Sequence, residues 1–167
     1  MPAIQLVRLD PAIEQAVHSD PAFFESMVEE DWPKIAGVVQ KHVGRTLTAE
    51  PLSVDTLAWD GYFVVEPTTR EVLGTCAFKG DPDASGVVEI AYLTFPEHEG
   101  RGYATAMASR LIALAAESPA VQQVIAHTLP QKNASTRVLE KAGLAFAGEV
   151  VDPEDGAVWR WERAVRG

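Results

Sequence analysis

Residues 87–105 have the sequence VVEIAYLTFPEHEGRGYAT, and this stretch decides the fold. Its first part, residues 87–95, is apolar and rich in β-branched and aromatic side chains, which predicts a strand. Residues 102–116 follow with apolar side chains at helical spacing and predict an alanine-rich helix. A glycine-rich turn that leads into a helix exposes backbone N–H groups at the positive end of the helix dipole, where phosphate oxygens bind. Gly100 and Gly102 would let the backbone approach such a ligand closely, although glycines are also common in strand–helix turns for steric reasons.

This turn lacks the signatures of two common nucleotide-binding loops. A P-loop closes with a Lys-Ser or Lys-Thr pair, which residues 97–105 do not contain. A dinucleotide-binding loop needs a third glycine, and Thr105 stands at that position. It also needs an acidic residue at the end of the next strand, where residues 127–130 have the sequence HTLP. A phosphate-binding protein of either class is therefore the least favoured alternative.

The segments on either side of this unit predict a mixed sheet with helices packed on it. Strands are predicted at 4–9, 57–66, 71–79, 87–95, 122–129, 144–151 and 157–163, and helices within 11–45 and at 102–116 and 134–142. Three consecutive strands with short links suggest an antiparallel meander before the glycine turn. We expect an α/β (α+β) fold with a mixed, mostly antiparallel sheet of about seven strands and about four helices, in a single domain over residues 1–167.

The composition is that of a soluble globular protein. Hydrophobic residues make up 47% and charged residues 23% of the 167 residues, which argues against a disordered or fibrous chain. The 14 basic and 24 acidic side chains give a formal net charge of −10, which would repel nucleic-acid phosphates and anionic lipid. No signal sequence and no apolar stretch long enough to cross a bilayer are found, so we expect a cytoplasmic protein that binds neither nucleic acid nor membrane.

The histidines and the single cysteine offer little chemistry in the sequence. The histidines show no metal-ligand spacing, so no metal site is predicted. His98, in the loop before the glycines, is expected to be exposed to solvent, with help in binding a phosphate as the alternative. Cys76 lies in an apolar strand and is expected to be a buried, inert thiol.

Two motifs carry a family resemblance. Residues 89–115 (EIAYLTFPEHEGRGYATAMASRLIALA) and 130–150 (PQKNASTRVLEKAGLAFAGEV) resemble the GNAT superfamily of acetyl-CoA-dependent N-acetyltransferases. The pyrophosphate motif of that family, Gln/Arg-x-x-Gly-x-Gly/Ala, falls on residues 99–104, and its helix motif, Ser-x-Arg-Val-Leu-Glu-Lys-x-Gly, falls on residues 135–143. Within the superfamily the chain is most similar to the branch of the ribosomal-protein N-terminal acetyltransferases, and the similarity covers about residues 86–163.

The resemblance implies that acetyl-CoA is the cofactor and indicates which residues bind it. In such enzymes the strand before the turn carries a bulge whose free backbone groups pair with the pantetheine arm, and the bulge would fall on Leu93, Thr94 and Phe95. Asn133 would contact the same arm, with a plain helix N-cap as the alternative. Glu99 stands where the family has Gln or Arg and places a negative charge near the phosphates. Backbone N–H groups would hold the pyrophosphate, contributed by Gly100, Arg101, Gly102, Tyr103, Ala104 and Thr105.

The reaction implied by the resemblance is direct attack of a primary amine on the thioester. The amine must lose a proton to attack, and the leaving thiolate is better expelled when it is protonated. Glu89 matches the acidic position of the family and would act as the base through water, unless it is only an exposed or edge-strand glutamate. Ser135 matches a serine proposed in this branch as the general acid, unless it bonds only the backbone. Tyr92 is a substitute acid or a core tyrosine.

The amine acceptor is the part that the motifs leave open. A protein N-terminus or a small-molecule amine would satisfy the chemistry, and the acidic residues between positions 20 and 31 favour a cationic amine. A homodimer is in keeping with this branch, where dimers are common. The alternative of another class is a non-catalytic GNAT-fold module that binds CoA or acyl-CoA, which Glu99 favours.

Overall fold

The computed structural model describes residues 1–8, 61–68 and 72–166. Within these ranges the chain forms a seven-stranded sheet, two helices and one short 3-10 turn at Pro96–His98. The strands are β1 (Gln5–Arg8), β2 (Gly61–Val65), β3 (Val72–Phe78), β4 (Val87–Thr94), β5 (Gln123–Thr128), β6 (Ala145–Asp152) and β7 (Gly156–Ala164). The helices are α1 (Tyr103–Glu117) and α2 (Ala134–Lys141).

The strands lie in the order β1-β2-β3-β4-β5-β7-β6. Neighbouring strands run antiparallel except β4 and β5, which are parallel and are connected through α1. The predicted α/β fold with a mostly antiparallel sheet of about seven strands is therefore confirmed. The predicted helices at 102–116 and 134–142 correspond to α1 and α2, whereas the helices predicted within 11–45 lie outside the described residues.

One face of the sheet packs against α1 and forms the core. The apolar residues of α1 recur every three or four positions, so that Met107 and Leu111 lie on one side of the helix and are fully buried. They belong to the same cluster as Val88 and Ile90 of β4. Because successive side chains of a strand alternate between faces, Glu89 is directed to the face away from α1.

β4 and β5 separate part-way along their length. Their parallel pairing begins at Val87 and ends at the pair Glu89–Ile125. Beyond that pair, β4 stays bonded to β3 as far as Thr94, and β5 stays bonded to β7 as far as Thr128. Because β4 stays paired with β3 and β5 stays paired with β7 while β4 and β5 leave each other, a V-shaped opening forms within the sheet.

Candidate functional site

The opening between β4 and β5 is lined from both faces of the sheet. The two predicted catalytic residues, Glu89 and Ser135, both line it, so the fold brings into one cleft side chains that are distant in sequence. The complete lining comprises Lys79, Glu89, Ile90, Ala91, Tyr92, Ala126, His127 and Ser135.

Successive residues of β4 direct their backbone N–H and C=O groups alternately toward β3 and toward the β5 side. The Phe95 N–H donates to the Leu73 carbonyl over 2.9 Å, and the Lys79 N–H donates to the Glu89 carbonyl over 2.8 Å. Since the β3–β4 register runs without a shift between these two bonds, every odd-numbered residue from 89 to 95 directs its N–H and C=O groups to β3.

The β3–β4 register shows no shift as far as Thr94. A Cβ added to Gly74 would overlap the Leu93 carbonyl oxygen, which a flat antiparallel pair does not produce, so the bulge expected at residues 93–95 stays a prediction. Leu93 and Phe95 direct their backbone groups to β3 and therefore away from the opening. Of the three residues predicted there, Thr94 faces the opening, together with Ile90 and Tyr92. Free backbone groups border the cleft, because β4 and β5 separate there.

The Glu89 carboxylate contacts two basic side chains on the face of the sheet away from α1. Its Oε2 atom lies 3.1 Å from Lys79 Nζ and 3.1 Å from His127 Nδ1. The side chains of Glu89 and His127 are each one-fifth exposed, so the carboxylate is not a freely exposed one. Lys79 and His127 were not predicted at the site, because their contacts with Glu89 depend on the register of three strands and no local pattern indicates that register.

On the opposite face, Tyr92 contacts Ser135 at the start of α2. The Tyr92 Oη atom lies 3.1 Å from Ser135 Oγ, and either hydroxyl can donate. Burial raises the pKa of the Tyr92 phenol above its usual value, and the hydrogen bond with Ser135 lowers it by less. The phenol therefore stays protonated at neutral pH and is able to donate a proton. Ser135 does not bond only to the backbone, which was the alternative to its role as an acid.

The glycine turn ends at a helix terminus that is suited to bind an anion. Gly100 and Gly102 have φ angles of 76° and 86°, in the left-handed region that favours glycine. Gly102 caps α1 without a side-chain hydrogen bond, and the first turn contains no acidic residue. The Ala106 N–H donates to the Gly102 carbonyl, so the N–H groups of residues 103–105 have no intrahelical acceptor. These groups and the exposed Arg101 are consistent with a site for a phosphate.

The two residues before Gly100 differ in exposure. Glu99 is exposed, as a charged side chain in a turn usually is. His98 is only 5% exposed, and its ring packs edge-on against Tyr103 at a centroid distance of 6.3 Å. The expectation that His98 is exposed was wrong, because the 3-10 turn at Pro96–His98 directs the ring inward.

Asn133 is the N-cap of α2. Its Oδ1 atom accepts from the Thr136 N–H over 3.0 Å, and the Thr136 hydroxyl accepts from the Asn133 N–H over 3.0 Å, which completes a capping box. The N-cap considered as the alternative role is therefore present. The cap uses only the amide oxygen, and the –NH₂ group of Asn133 takes no part in it.

Within residues 1–8, 61–68 and 72–166, no group of three or more His, Cys, Asp or Glu side chains is placed to hold a metal ion. In the same part of the chain, no helix is both long and apolar enough to span a membrane.

Sequence comparison identifies the chain's relatives. The family described as acetyltransferase (GNAT) domain matches residues 5–145. The uncharacterized N-acetyltransferase YjdG of Bacillus subtilis (strain 168) is 32% identical over 88 residues. That match covers 53% of this chain and 52% of the relative, so the chain spans about half the length of the curated relative it matches.

Solved structures share the fold at low sequence identity. A spermidine N-acetyltransferase SpeG chimera from Vibrio cholerae and hSSAT has a TM-score of 0.64 at 13% identity, with 97% of this chain and 95% of that chain covered. The aminoglycoside acetyltransferase AAC(6')-Ib, in complex with coenzyme A and kanamycin, has a TM-score of 0.62 at 21% identity and the same coverage. At these identities the likeness concerns the fold alone.

Proposed function

Because the chain belongs to the GNAT family of acetyltransferases, we propose that it transfers an acetyl group from acetyl-CoA to a primary amine, which attacks the thioester directly. The observation that carries this proposal is the opening between β4 and β5. It has Glu89 on one face of the sheet and the Tyr92–Ser135 pair on the other, around one cleft. A proton acceptor and a proton donor are the two groups that the reaction needs. We further propose that residues 1–167 form one GNAT domain.

The glycine turn and the start of α1 fit the pyrophosphate of acetyl-CoA. The N–H groups of residues 103–105 would donate hydrogen bonds to its oxygens, and the left-handed Gly100 and Gly102 would keep the backbone open to it. Arg101, exposed between the two glycines, would add a positive charge. Phosphate binding here needs no rearrangement of α1, because no side chain of the described residues caps its N-terminus.

The opening fits the pantetheine arm. Its amide groups would pair with the backbone of Ile90, Tyr92 and Thr94, as an added strand pairs with a sheet edge. The –NH₂ group of Asn133, which the helix cap leaves unused, would donate to the same arm. The arm would thus lie between β4 and β5, where parallel pairing has stopped.

Two proton transfers would accompany the reaction. The Glu89 carboxylate is proposed to draw a proton from the amine, directly or through water. The Tyr92–Ser135 pair is proposed to protonate the sulfur as it leaves. The raised pKa of Tyr92, caused first by burial, keeps a proton ready for that step.

The acceptor is proposed to be a small-molecule or peptide amine, as in the two structural neighbours named after aminoglycoside and spermidine acetylation. The net charge of −10 favours an acceptor with additional positive charge. The acidic residues at 20–31 that also favour it lie outside the described residues. A protein N-terminus, as in the ribosomal-protein branch, and a homodimer are further proposals that rest on the resemblance.

A non-catalytic module that binds CoA or acyl-CoA is the second candidate. The observation that favours it is Glu99, whose exposed negative charge lies directly before the glycine turn. Such a module would bind CoA without releasing free thiol in the presence of an amine.

Thermal unfolding with CoA, acetyl-CoA, ATP and NAD, each at about 1 mM, tests the cofactor. A ligand at 100 times its Kd stabilises the folded state by about 2.7 kcal/mol, which raises the Tm by several degrees in a chain of this length. We expect a shift with the two CoA species and none with ATP or NAD. Free-thiol release from acetyl-CoA with spermidine, kanamycin or an alanyl peptide then separates the enzyme from the module. Absence of any CoA shift would contradict both.

A further inference from the structure

We propose that His127, rather than Glu89, accepts the proton from the amine, and that Glu89 is a positioning residue which orients the imidazole. This inference rests on the proposed acetyl transfer and assigns a residue to its first proton step. Neither the sequence motifs nor the family resemblance points to His127, which lies on β5 outside both motifs.

The contact between Glu89 and His127 fixes the tautomer of the ring. An ionised carboxylate only accepts hydrogen bonds, so His127 Nδ1, 3.1 Å from Glu89 Oε2, carries the hydrogen. In the neutral ring the other nitrogen, Nε2, then has a free lone pair. Because the ring lines the opening and is one-fifth exposed, Nε2 is reachable from the cleft. A carboxylate that holds Nδ1 while Nε2 receives a proton is a recurrent arrangement for a general base.

Glu89 itself is less suited to receive the proton. Its Oε2 atom already accepts from Lys79 Nζ and from His127 Nδ1, both at 3.1 Å. A proton on that oxygen would compete with an ammonium and an imidazole for the same lone pairs. In short peptides a carboxyl titrates at about pH 4.3 and an imidazole at about pH 6.5, so imidazole is the stronger base of the two groups.

The strand register places His127 further into the opening than Glu89. Glu89 is level with Ile125, the last pair before β4 and β5 separate. His127 follows Ile125 by two residues in the direction in which the strands diverge, a step of about 7 Å at the usual rise of a strand. It therefore lies beside the widening part of the cleft, on the level of Ala91 and close to that of Tyr92. Along the strand direction, a base at this level is about one residue from Tyr92, whereas Glu89 is three residues from it.

The charges around His127 come from three neighbouring strands and one turn. Lys79 and Glu89 lie on the β3–β4 side. Arg160, the β7 residue paired with His127, directs its guanidinium to Glu162, with 3.1 Å between Nε and Oε2. Asp152 at the end of β6 is bonded to the N–H groups of residues 154 and 155. Among the described residues, Glu89 is thus the carboxylate in direct contact with the ring.

His127 Nε2 takes one proton from the substrate ammonium, which becomes a neutral amine, and His127 then releases that proton to solvent. The amine nitrogen forms a bond with the acetyl carbon while the carbon–sulfur bond breaks. As the amide forms, the second proton of the nitrogen passes to the same Nε2 atom, now neutral again, and from there to solvent. The sulfur gains a proton from the Tyr92–Ser135 pair, which takes one back from solvent. The sum is an ammonium and a thioester converted to an amide, a thiol and one proton.

The test compares two variants that each remove one partner of Glu89 Oε2. His127→Gln keeps an amide donor near Glu89 and removes the basic nitrogen, and Lys79→Met removes the ammonium and leaves the imidazole. For each, kcat and kcat/KM are measured from pH 5.5 to 10 by free-thiol release, with the best of spermidine, kanamycin and an alanyl peptide as acceptor. The Tm shift with CoA is measured beside them, to show that the fold and the cofactor site are retained.

We expect H127Q to lower kcat about 100-fold at pH 7 and to abolish the rise of kcat/KM in the imidazole range. The loss should shrink above pH 9, where more of the amine is already neutral, and the CoA shift should be unchanged. In K79M, kcat/KM should still rise with pH in the range in which imidazole titrates. Free imidazole should restore part of the activity of His127→Ala and none to K79M.

Two outcomes would overturn the inference in distinguishable ways. Equal losses in H127Q and K79M, with the pH rise kept in both, would mean that His127 only supports the fold around Glu89, while the proposed acetyl transfer stands. If the wild-type protein binds no CoA or releases no thiol with any of the three amines, the proposed function fails first and the inference falls with it.

Discussion

Tyr92 and Ser135 are 43 positions apart in the sequence, yet the Tyr92 Oη atom lies 3.1 Å from Ser135 Oγ. The contact joins β4 to the first turn of α2 and places two hydroxyls at one side of the cleft. Because each hydroxyl both donates and accepts, the pair can pass a proton from one oxygen to the other. The two residues are therefore expected to act as one unit.

The first prediction concerns that unit. Tyr92→Phe and Ser135→Ala should each lower kcat by about 100-fold, because either change interrupts the path of the proton to the sulfur. The double variant should lose no more than the worse single variant, since groups that act together are not additive. Free-thiol release at saturating substrates measures kcat, and the CoA-induced Tm shift controls for the fold. Fully additive losses would show that the two hydroxyls act independently.

The second prediction follows from the pKa of Tyr92. Burial, the larger cause, raises this pKa above the ordinary value of 10.0, so the folded protein holds the phenolic proton more tightly than the unfolded chain. The resulting stabilisation is complete below pH 10 and is lost as the pH rises through the pKa of the folded state. The free energy of unfolding of the wild type should thus fall more steeply above pH 10 than that of Tyr92→Phe. Urea titrations between pH 8 and 11.5 measure both slopes, and equal slopes would contradict the prediction.

Local patterns sufficed to predict the elements around the glycine turn. Alternating and apolar side chains at 87–95 and helical spacing at 102–116 are each properties of a single segment, and the bounds of β4 and α1 differ from the predicted ones by no more than one residue. The same holds for the cap of α2, since Asn133 and Thr136 are three positions apart. Such features depend on residues that are close in sequence and require no knowledge of the contacts between segments.

The parts that were missed or wrong depend on contacts between segments. Whether Leu93 or Thr94 faces the cleft is set by the β3–β4 register and by the point at which β5 departs. The meeting of Glu89 with Lys79 and His127 requires three strands in one register. The sequence pattern placed Glu89 on a strand but could not indicate what lies beside it.

The third prediction distinguishes the backbone strain at Gly100 from the role of this residue in CoA binding. Gly100 and Gly80 both have a positive φ, 76° and 94°, and a Cβ added to either would meet no atom within 4 Å. Changing either to Ala should therefore cost a similar backbone strain of about 1–2 kcal/mol. Only Gly100→Ala should weaken CoA binding, because Gly80 lies in the turn after β3, away from the start of α1. Urea unfolding measures the stability and calorimetry the Kd; equal CoA affinities would place the phosphates elsewhere.

The fourth prediction concerns the charge at Glu99. If the pyrophosphate binds at the start of α1, Glu99→Gln should tighten CoA binding by about two- to fivefold at low salt, since it removes a repulsive charge near the anion. Glu117→Gln removes an equal charge at the far end of α1 and should leave the affinity unchanged. The gain should decrease as the salt concentration rises to 0.5 M, because ions screen exposed charges. If both variants changed the Kd equally, net charge and not position would be responsible.

The fifth prediction concerns Cys76, which lies in β3 within the core cluster and is 2% exposed. Burial raises the pKa of this thiol, so little thiolate forms and the sulfur has no path to substrate. A thiol reagent such as DTNB should react with the native protein only as fast as the core opens, and should label one thiol at once in denaturant. Leu139→Ala, which removes a fully buried side chain and should cost about 2–5 kcal/mol of the free energy of unfolding, should accelerate native labelling by about 30-fold or more.

Cys76→Ala should keep the acetyl-transfer rate, because a direct attack of the amine needs no acetylated cysteine. A large loss of kcat with an unchanged Tm would instead indicate that the acetyl group passes through this residue.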